Sequence, residues 1–328
     1  MQSATLPKIM HPLCGQPILG HVLDSAKGLN PENLVVVIGH MVDKVAAYLA
    51  GEHPEARVAV DHVQNGTGLA LKTGLSILEA DKLSGTVLAL CGDTPLVTGE
   101  TLQALLLAHE SEGNAATVLT AIGPNPEGCG RLVRDINGAV VRIVEHDDAS
   151  EEQLKIREIN SGLFAFDGAL LPEVLDQIGT VNSRSEEYLT DAVSILHSSG
   201  HRVGAVVASD YREISGINDR IQLATVRRFL NDRLLESAMR KGVTIIDPAS
   251  TWLDIHVTCE PDVTLHQNTR LRGCTRVASG AEIGPDCTLT DTFVGAGARV
   301  TVCTAERTHI DAGAHVGPYV HLPPSQGL

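Results

Sequence analysis

Residues 271–289 read Leu-Arg-Gly-Cys-Thr-Arg-Val-Ala-Ser-Gly-Ala-Glu-Ile-Gly-Pro-Asp-Cys-Thr-Leu, with an aliphatic residue at every sixth position. A repeat of six matches neither the period of about 3.6 of an α-helix nor the period of about 2 of a strand. It is typical of a solenoid in which each hexad forms one flat side of a triangular coil and turns one aliphatic side chain inward. The stretch therefore predicts a parallel β-helix, whereas an ordinary β-sandwich would alternate with period two.

The same spacing extends over the C-terminal part of the chain. It is interrupted by a one-residue slip after Leu289 and by a second break after Val300. Small residues and glycines between the aliphatic positions suit the tight corners of such a coil. The predicted inward positions are Leu253, Cys259, Leu265, Leu271, Val277, Ile283, Leu289, Val294, Val300, Ile310, Val316 and Leu322.

The N-terminal part of the chain has a different texture, in which buried-strand patterns alternate with helical ones. This alternation predicts β-α-β units in a mainly parallel sheet, and the shorter β segments after Gly113 predict a mixed-sheet insertion. The predicted strands are 33–40, 57–60, 86–95, 116–121, 130–134, 139–145 and 159–166. The predicted helices are 41–50, 67–78, 98–112, 187–197 and 217–241. We expect an α/β domain over 1–224, a linker helix and connection over 225–250, and a partial β-helix over 251–328.

Composition limits the partners and the compartment. With 25 Lys+Arg against 40 Asp+Glu, the net charge is −15, which argues against nucleic acid and against an anionic membrane surface as partners. The seven cysteines form no C-x-x-C pair, and no apolar stretch approaches the roughly 20 residues that span a bilayer. We therefore expect a protein of the reducing cytoplasm.

Three features of the N-terminal part suit phosphate chemistry. Asp93 follows a buried strand at its carboxyl end, where open α/β sheets bind ligands, and a carboxylate there can hold Mg²⁺. The turn Asn65-Gly-Thr-Gly68 precedes a helix, and Lys8 could reach a phosphate. Taken singly, each has an ordinary structural explanation: a helix-capping aspartate, a common glycine turn and a solvated surface lysine.

The order of the motifs along the chain points further. From Ser3 to about Leu322 it resembles the GlmU family, the bifunctional N-acetylglucosamine-1-phosphate uridyltransferases and glucosamine-1-phosphate N-acetyltransferases of bacterial cell-wall precursor synthesis. The resemblance implies a Rossmann-like nucleotidyltransferase domain followed by a left-handed parallel β-helix that forms a homotrimer. It rests on Leu6-Pro-Lys-Ile-Met-His11, Gln64-Asn-Gly-Thr-Gly68, Cys91-Gly-Asp-Thr-Pro-Leu96, Gly128-Cys-Gly-Arg131, Ile143-Val-Glu145, Glu158-Ile-Asn-Ser-Gly162, Glu187-Tyr-Leu-Thr-Asp191, Gly216-Ile-Asn-Asp-Arg-Ile-Gln-Leu223, Asp247-Pro-Ala-Ser-Thr-Trp252 and the hexads.

By the same resemblance, residues of this chain acquire expected roles. Asp93 and Asn218 would ligate Mg²⁺, and Lys8 would contact the nucleotide phosphates. Gly66 and Thr67 would line the uracil pocket of UTP, next to Asp61. The residues expected to hold N-acetylglucosamine 1-phosphate are Gly130, Glu145, Asn160 and Thr190. The implied reaction is uridylyl transfer with release of pyrophosphate.

Several departures from the family pattern leave alternatives open. The family's first strand and glycine-rich loop have no counterpart before Met1, and its later coils, which carry the acetyltransferase site, have none after Leu328. We therefore expect a chain cut short at both ends, with two unpaired inner strand edges and no acetyltransferase activity. Asp61 replaces a uracil-reading glutamine, Leu69 a histidine and Cys129 a tyrosine. The alternatives are a catalytically inactive sugar-nucleotide-binding or trimer-forming protein, and a nucleotidyltransferase for another sugar 1-phosphate.

Overall fold

The computed structural model describes residues 1–78, 83–124 and 126–324. The chain forms two compact units, the first made of Met1–His11 and Ile18–Asn218 and the second of Pro12–Pro17 and Asp219–Leu328. The domain limits at 224 and 250 stay a prediction. None of the described helices is both long enough and apolar enough to cross a bilayer.

Elements are numbered along the chain, and the first two strands, β1 (Pro12–Leu13) and β2 (Gln16–Pro17), form a hairpin of the second unit. The first unit contains a mixed set of helices and strands. They are α1 (Ile18–Lys27), β3 (Val35–Ile38), α2 (Val42–Glu52), β4 (Arg57–Val60), α3 (Thr67–Ser76), β5 (Thr86–Ala89), α4 (Gly99–Glu112), β6 (Ala116–Ile122), β7 (Arg131–Arg134), β8 (Val140–Val144), α5 (Glu151–Leu154), β9 (Glu158–Asp167), α6 (Leu171–Asp176), α7 (Asp191–Ser198) and β10 (Val203–Val207).

A six-stranded mixed sheet organises the first unit. Its order is β10-β6-β9-β7-β8, and β5 pairs with β9 as well. β10 runs parallel to β6, whereas the pairs involving β9 and the β7–β8 pair are antiparallel. Alternate residues of β9 enter two cores: Phe164 and Phe166 pack with α6 and α7, whereas Leu163 and Ala165 pack with α4. The mixed α/β sheet predicted from the sequence is confirmed.

β3 and β5 are among the described strands of this unit that pair on one side only. Among the described residues, β3 pairs only with β4, in a separate parallel two-stranded sheet, and β5 pairs only with β9. All four residues of β5 are only half-buried, although their sequence predicts a buried strand. Such unpaired edges are surfaces with which another strand can pair.

Two predicted helices begin later than their patterns indicate. The helix predicted at 187–197 begins at Asp191, because the backbone of Glu187 is held by the preceding glycine loop: its N–H donates to Asn65 O, and its carbonyl accepts from Gly68 N. The helix predicted at 217–241 begins at Arg220, because Asp219 caps it and accepts from Gln222 N. In both cases polar contacts override the helical pattern.

The second unit consists of one long helix and a series of very short strands. The helix is α8 (Arg220–Arg240). The strands are β11 (Thr244–Ile245), β12 (Trp252–Leu253), β13 (Thr258–Cys259), β14 (Thr264–Leu265), β15 (Arg270–Arg272), β16 (Arg276–Val277), β17 (Glu282–Ile283), β18 (Thr288–Thr290), β19 (Phe293–Val294), β20 (Arg299–Val300), β21 (Cys303–Glu306), β22 (His309–Ile310), β23 (His315–Val316) and β24 (Val320–Leu322).

These strands stack into three parallel sheets that form the sides of a coil. Their orders are β11-β14-β17-β20-β23, β12-β15-β18-β21-β24 and β13-β16-β19-β22, so each strand pairs with the one three positions later. All the predicted inward residues are buried or packed against the buried core. The repeat is confirmed as a three-sided parallel β-helix, consistent with the left-handed type. The sequence pattern missed two sides, those of Ile245 and Ala305.

A second inward position lies two residues before each aliphatic one, and its chemistry differs between the sides. The side of β16, β19 and β22 has threonine there, and the hydroxyl of Thr275 donates to the carbonyls of Arg272 and Leu289. The side of β17, β20 and β23 has alanine. The threonines are Thr275, Thr292 and Thr308, the alanines are Ala281, Ala298 and Ala314, and the third side has Thr251, Thr269, Cys287 and Cys303.

Candidate active site

Three polar side chains from distant parts of the sequence meet at one point of the first unit. Lys8 Nζ donates to Asp93 Oδ2 at 2.5 Å and to Asn218 Oδ1 at 2.9 Å. The Lys8 side chain is 37% exposed and that of Asp93 21%. The ammonium group therefore lies between a carboxylate oxygen and an amide oxygen, at a place that solvent can reach.

Local structure places each of the three. Lys8 follows Pro7 at the start of a 3₁₀ turn, and Asp93 follows β5 in a turn closed by Thr94, whose hydroxyl donates to Cys91 O at 2.7 Å. Asn218 is brought alongside because the N–H of Ile217 donates to Asp93 O at 3.1 Å. The carboxyl end of β5 thus positions the acid, as the sequence predicts.

The two oxygens suit a divalent cation that is shared with a ligand. In the residues described, no group of three or more His, Cys, Asp or Glu could hold a metal ion by itself. Asp93 Oδ2 and Asn218 Oδ1 nevertheless converge on one cationic atom, Lys8 Nζ. Mg²⁺ is usually bound by one or two protein oxygens together with waters and substrate phosphates, so this donor set fits. Asp93 and Asn218 would hold the ion, which would supply charge neutralisation at the phosphates.

A cavity of about 380 Å³ adjoins this point. Lys8, Asp61, Gln64 and Gly66 line it, together with Gly39 and neighbouring residues of β3. Asp61 is buried at the end of β4, and one of its carboxylate oxygens accepts from the N–H groups of Val63 and Gln64, both at 2.9 Å. Asp61 therefore lines the cavity and also holds the backbone of Val63 and Gln64 in place.

The glycine loop before α3 forms another part of the cavity wall. Gly66 has φ +101° and ψ 170°, a backbone conformation that is essentially restricted to glycine. A Cβ at this position would lie 2.4 Å from the carbonyl oxygen of Glu187. The next residue, Thr67, contacts the same segment: its Oγ1 accepts from the N–H of Leu189 at 3.0 Å. The loop is thus held against the segment that precedes α7.

The four residues expected to bind a sugar also lie together. Asn160 N donates to Gly130 O at 2.9 Å, and Thr190 Oγ1 donates to Glu145 Oε1 at 3.0 Å. A Cβ on Gly130 would lie 3.1 Å from Ile143 Cγ2 and 3.3 Å from Glu145 Oε2, so any larger residue here would crowd the Glu145 side chain. Burial raises the pKa of Glu145, although the hydrogen bond from Thr190 opposes this.

One cysteine connects the two groups of residues. Cys91 lies just before Asp93, and its thiol donates to Gly162 O at 3.3 Å, whereas Gly162 N donates to Asn160 Oδ1. Burial raises the pKa of the Cys91 thiol to about 12, so it stays protonated. A Cβ on Gly162 would lie 2.8 Å from Cys91 Sγ. Cys91 therefore packs against Gly162 of β9, whose N–H donates to the Asn160 side chain.

Sequence reasoning gave no role to three residues of this region, Cys91, Gly162 and Gln64, although each stands at one end of a quoted motif. Gly162 carried a signal, because a glycine inside a predicted strand often marks a close approach of another group. Gln64 has φ +54° and donates from Nε2 to Gly39 O at 2.6 Å. Its contact depends on the absence of a side chain at Gly39, where a Cβ would lie 2.7 Å from Gln64 Cγ. The sequence pattern alone does not reveal that contact.

The mixed α/β unit brings a lysine, a carboxylate and an amide oxygen to the edge of a cavity, an arrangement that suits a nucleotidyltransferase. Residues 1–153 match the model of the MobA-like NTP transferase domain family. The chain is 56% identical to the bifunctional protein GlmU of Streptomyces coelicolor over 329 residues, which cover 100% of this chain and 68% of the relative. It is 54% identical to that of Streptomyces avermitilis with the same coverage, and 49% identical to that of Thermobifida fusca over 93% of this chain and 63% of the relative. The chain belongs to the GlmU family.

Proposed function

We propose that the first unit transfers UMP from UTP to N-acetylglucosamine 1-phosphate. A phosphate oxygen of the sugar phosphate attacks the α-phosphorus of UTP, the bond from this phosphorus to the bridging oxygen breaks, and pyrophosphate leaves. UDP-N-acetylglucosamine, a cell-wall precursor, is the product. Membership of the GlmU family and the nucleotidyltransferase fold support this proposal.

The observation that carries the proposal is the convergence of Lys8, Asp93 and Asn218 beside the cavity. In the proposed reaction, Asp93 and Asn218 would hold Mg²⁺, which would supply neutralisation of phosphate charge, and Lys8 contacts the phosphates. Such chemistry depends mainly on positioning and on charges that are already in place. The boundary of the nucleotide pocket is formed by Gly66, Thr67 and Asp61.

The second group of residues supports the sugar half of the proposal. Gly130, Glu145, Asn160 and Thr190 lie together as a polar group, joined by the hydrogen bonds from Asn160 N to Gly130 O and from Thr190 Oγ1 to Glu145 Oε1. Carboxylate and amide groups are suited to the hydroxyls and the acetamido group of the sugar. N-acetylglucosamine 1-phosphate is proposed in preference to glucose 1-phosphate because the chain belongs to the GlmU family.

A pyrophosphate-release assay tests the proposal. With UTP, Mg²⁺ and N-acetylglucosamine 1-phosphate, we expect turnover that Asp93→Asn reduces by at least about 100-fold, since one charge-stabilising group is worth about 10²–10³. Asp176→Asn is the control, because Asp176 is an exposed aspartate paired with Lys72. Binding of UTP without release of pyrophosphate would refute the catalytic proposal. Faster turnover with glucose 1-phosphate would refute the sugar assignment.

We also propose that the β-helix forms a homotrimer and that the protein works in the reducing cytoplasm. The three-sided coil of the GlmU family supports the first, and the absence of any disulfide among the seven cysteines supports the second. Light scattering after size-exclusion chromatography should give three times the mass of the chain. A monomer at micromolar concentration would contradict the trimer.

A further inference from the structure

Lys8 contacts the same two atoms that are proposed to bind the metal ion. Its ammonium group satisfies Asp93 Oδ2 at 2.5 Å and Asn218 Oδ1 at 2.9 Å. A divalent cation that uses both oxygens needs the position near Nζ, because two cations cannot share one carboxylate oxygen at these distances without strong repulsion. The lysine and the metal ion are therefore competitors for one place.

The same lysine also borders the cavity proposed to receive the nucleotide. Its flexible stem lets the ammonium group exchange Asp93 for a phosphate oxygen, which is a comparable anionic partner. Breaking the ion pair between Lys8 and Asp93 therefore costs less free energy when a polyphosphate is present than when the cavity contains only water.

We propose that Lys8 is a resident cation of the ligand-free site, which keeps Asp93 and Asn218 in place and excludes the divalent ion until nucleotide phosphates take over the ammonium group. Binding of the metal ion and binding of the nucleotide are then coupled, and each raises the affinity for the other. The metal ion needs Lys8 to leave Asp93, and the nucleotide phosphates hold Lys8 away from it. The inference rests on the proposed function for the location of the metal and the phosphates.

The expected size of the effect follows from the exposure of the pair. The side chains of Lys8 and Asp93 are 37% and 21% exposed, so solvent screens their attraction in part. A partly exposed ion pair of this kind changes an equilibrium constant by about fivefold. Removing the lysine should therefore raise the affinity of the nucleotide-free protein for a divalent ion about fivefold.

Binding of Mn²⁺ to the full chain, followed by the electron paramagnetic resonance signal of the free ion, tests this without turnover. Lys8→Met keeps the apolar stem and removes the charge, Lys8→Gln is the second neutral variant, and Lys8→Arg keeps the charge. Lys44→Met is the matched control, because Lys44 donates to the carbonyl of Thr5 and lies outside the site. Thermal unfolding confirms that each variant is folded.

Without nucleotide, the two neutral variants should bind Mn²⁺ about fivefold more tightly than the wild type, whereas Lys8→Arg and Lys44→Met should not. UTP should strengthen Mn²⁺ binding in the wild type more than in Lys8→Met, because the coupling passes through the lysine. Equal or weaker Mn²⁺ binding by both neutral variants would overturn the inference. Mn²⁺ binding that survives Asp93→Asn would also overturn it, since the ion would then lie elsewhere. A protein that binds but releases no pyrophosphate would refute the proposed function and leave this test decisive.

Discussion

Replacing Gly66 with alanine should damage the glycine loop through two separate effects. The first is the backbone, whose φ of +101° and ψ of 170° lie in a region that is nearly closed to alanine. The second is space, because the added Cβ would lie 2.4 Å from the carbonyl oxygen and 2.7 Å from the nitrogen of Glu187. Both atoms belong to the backbone, so neither can move aside as the end of a side chain could.

The magnitude follows from these two effects. Holding a residue in a sparsely populated backbone conformation costs about 1–3 kcal/mol, and overpacking one carbon typically costs about another 1–3 kcal/mol. We therefore expect Gly66→Ala to lower the free energy of unfolding by about 2–6 kcal/mol. The loop should also separate from the segment before α7, which would weaken nucleotide binding.

Gly138→Ala is the matched control. Gly138 has φ +85°, but a Cβ there would meet no atom within 4 Å, so only the left-handed backbone cost of about 1–2 kcal/mol remains. Urea unfolding gives the two free energies, and calorimetry with UTP gives the two affinities. Equal destabilisation by both substitutions, or unchanged UTP affinity in Gly66→Ala, would refute the reasoning from the Glu187 contact.

Three further predictions concern other parts of the molecule. Burial raises the pKa of Glu145 in the folded state, so the protonated carboxyl stabilises the fold relative to the ionised one. This stabilisation is complete in acid and is lost as pH rises through the raised pKa. Glu145→Gln should therefore raise the unfolding temperature at neutral pH and not in acid, and an equal change at both pH values would contradict the shift. Leu271 is fully buried in the β-helix, so Leu271→Ala should cost about 2–5 kcal/mol in urea unfolding, whereas the outward Arg270→Ala should change stability by less than about 0.5 kcal/mol. Cys274 is the one cysteine classed as exposed, so Ellman's reagent should modify one thiol quickly, and Cys274→Ser should abolish that phase; two fast thiols in the wild type would contradict the burial pattern.

The β-helix was predictable because its signal repeats: each aliphatic position confirms the one before it. The two sides that were missed show the limit of such a signal. Ala305 is too small to stand out as a core residue, and Ile245 follows directly on the end of α8, before the series begins. Both are recognisable only once their pairing with neighbouring strands is known.

The candidate site was predictable in its members but not in its contacts. Strand ends and glycine turns indicated Asp93 and the loop at Gly66, and the resemblance to a family supplied the others. No local pattern states that Lys8 donates to Asn218 across 210 positions of sequence, or that Thr67 holds the N–H of Leu189. Such contacts depend on which loops the sheet brings together, and the same contacts explain why the helix expected from Glu187 begins only at Asp191.

The alternating chemistry of the inner β-helix positions has a consequence for folding. By its aliphatic residues alone, a hexad would fit any of the three sides, so a coil displaced by one side would look nearly as stable as the native one. Such a displacement would place Thr275 in the column of Ala281 and Ala298, away from Leu289 O, to which its hydroxyl donates, and from Thr292 N, which donates to it. Each hydrogen bond lost between coils costs about 0.5–1.5 kcal/mol. The threonine column therefore distinguishes the native alignment of the coils from one displaced by a side, which the repeating aliphatic residues alone do not.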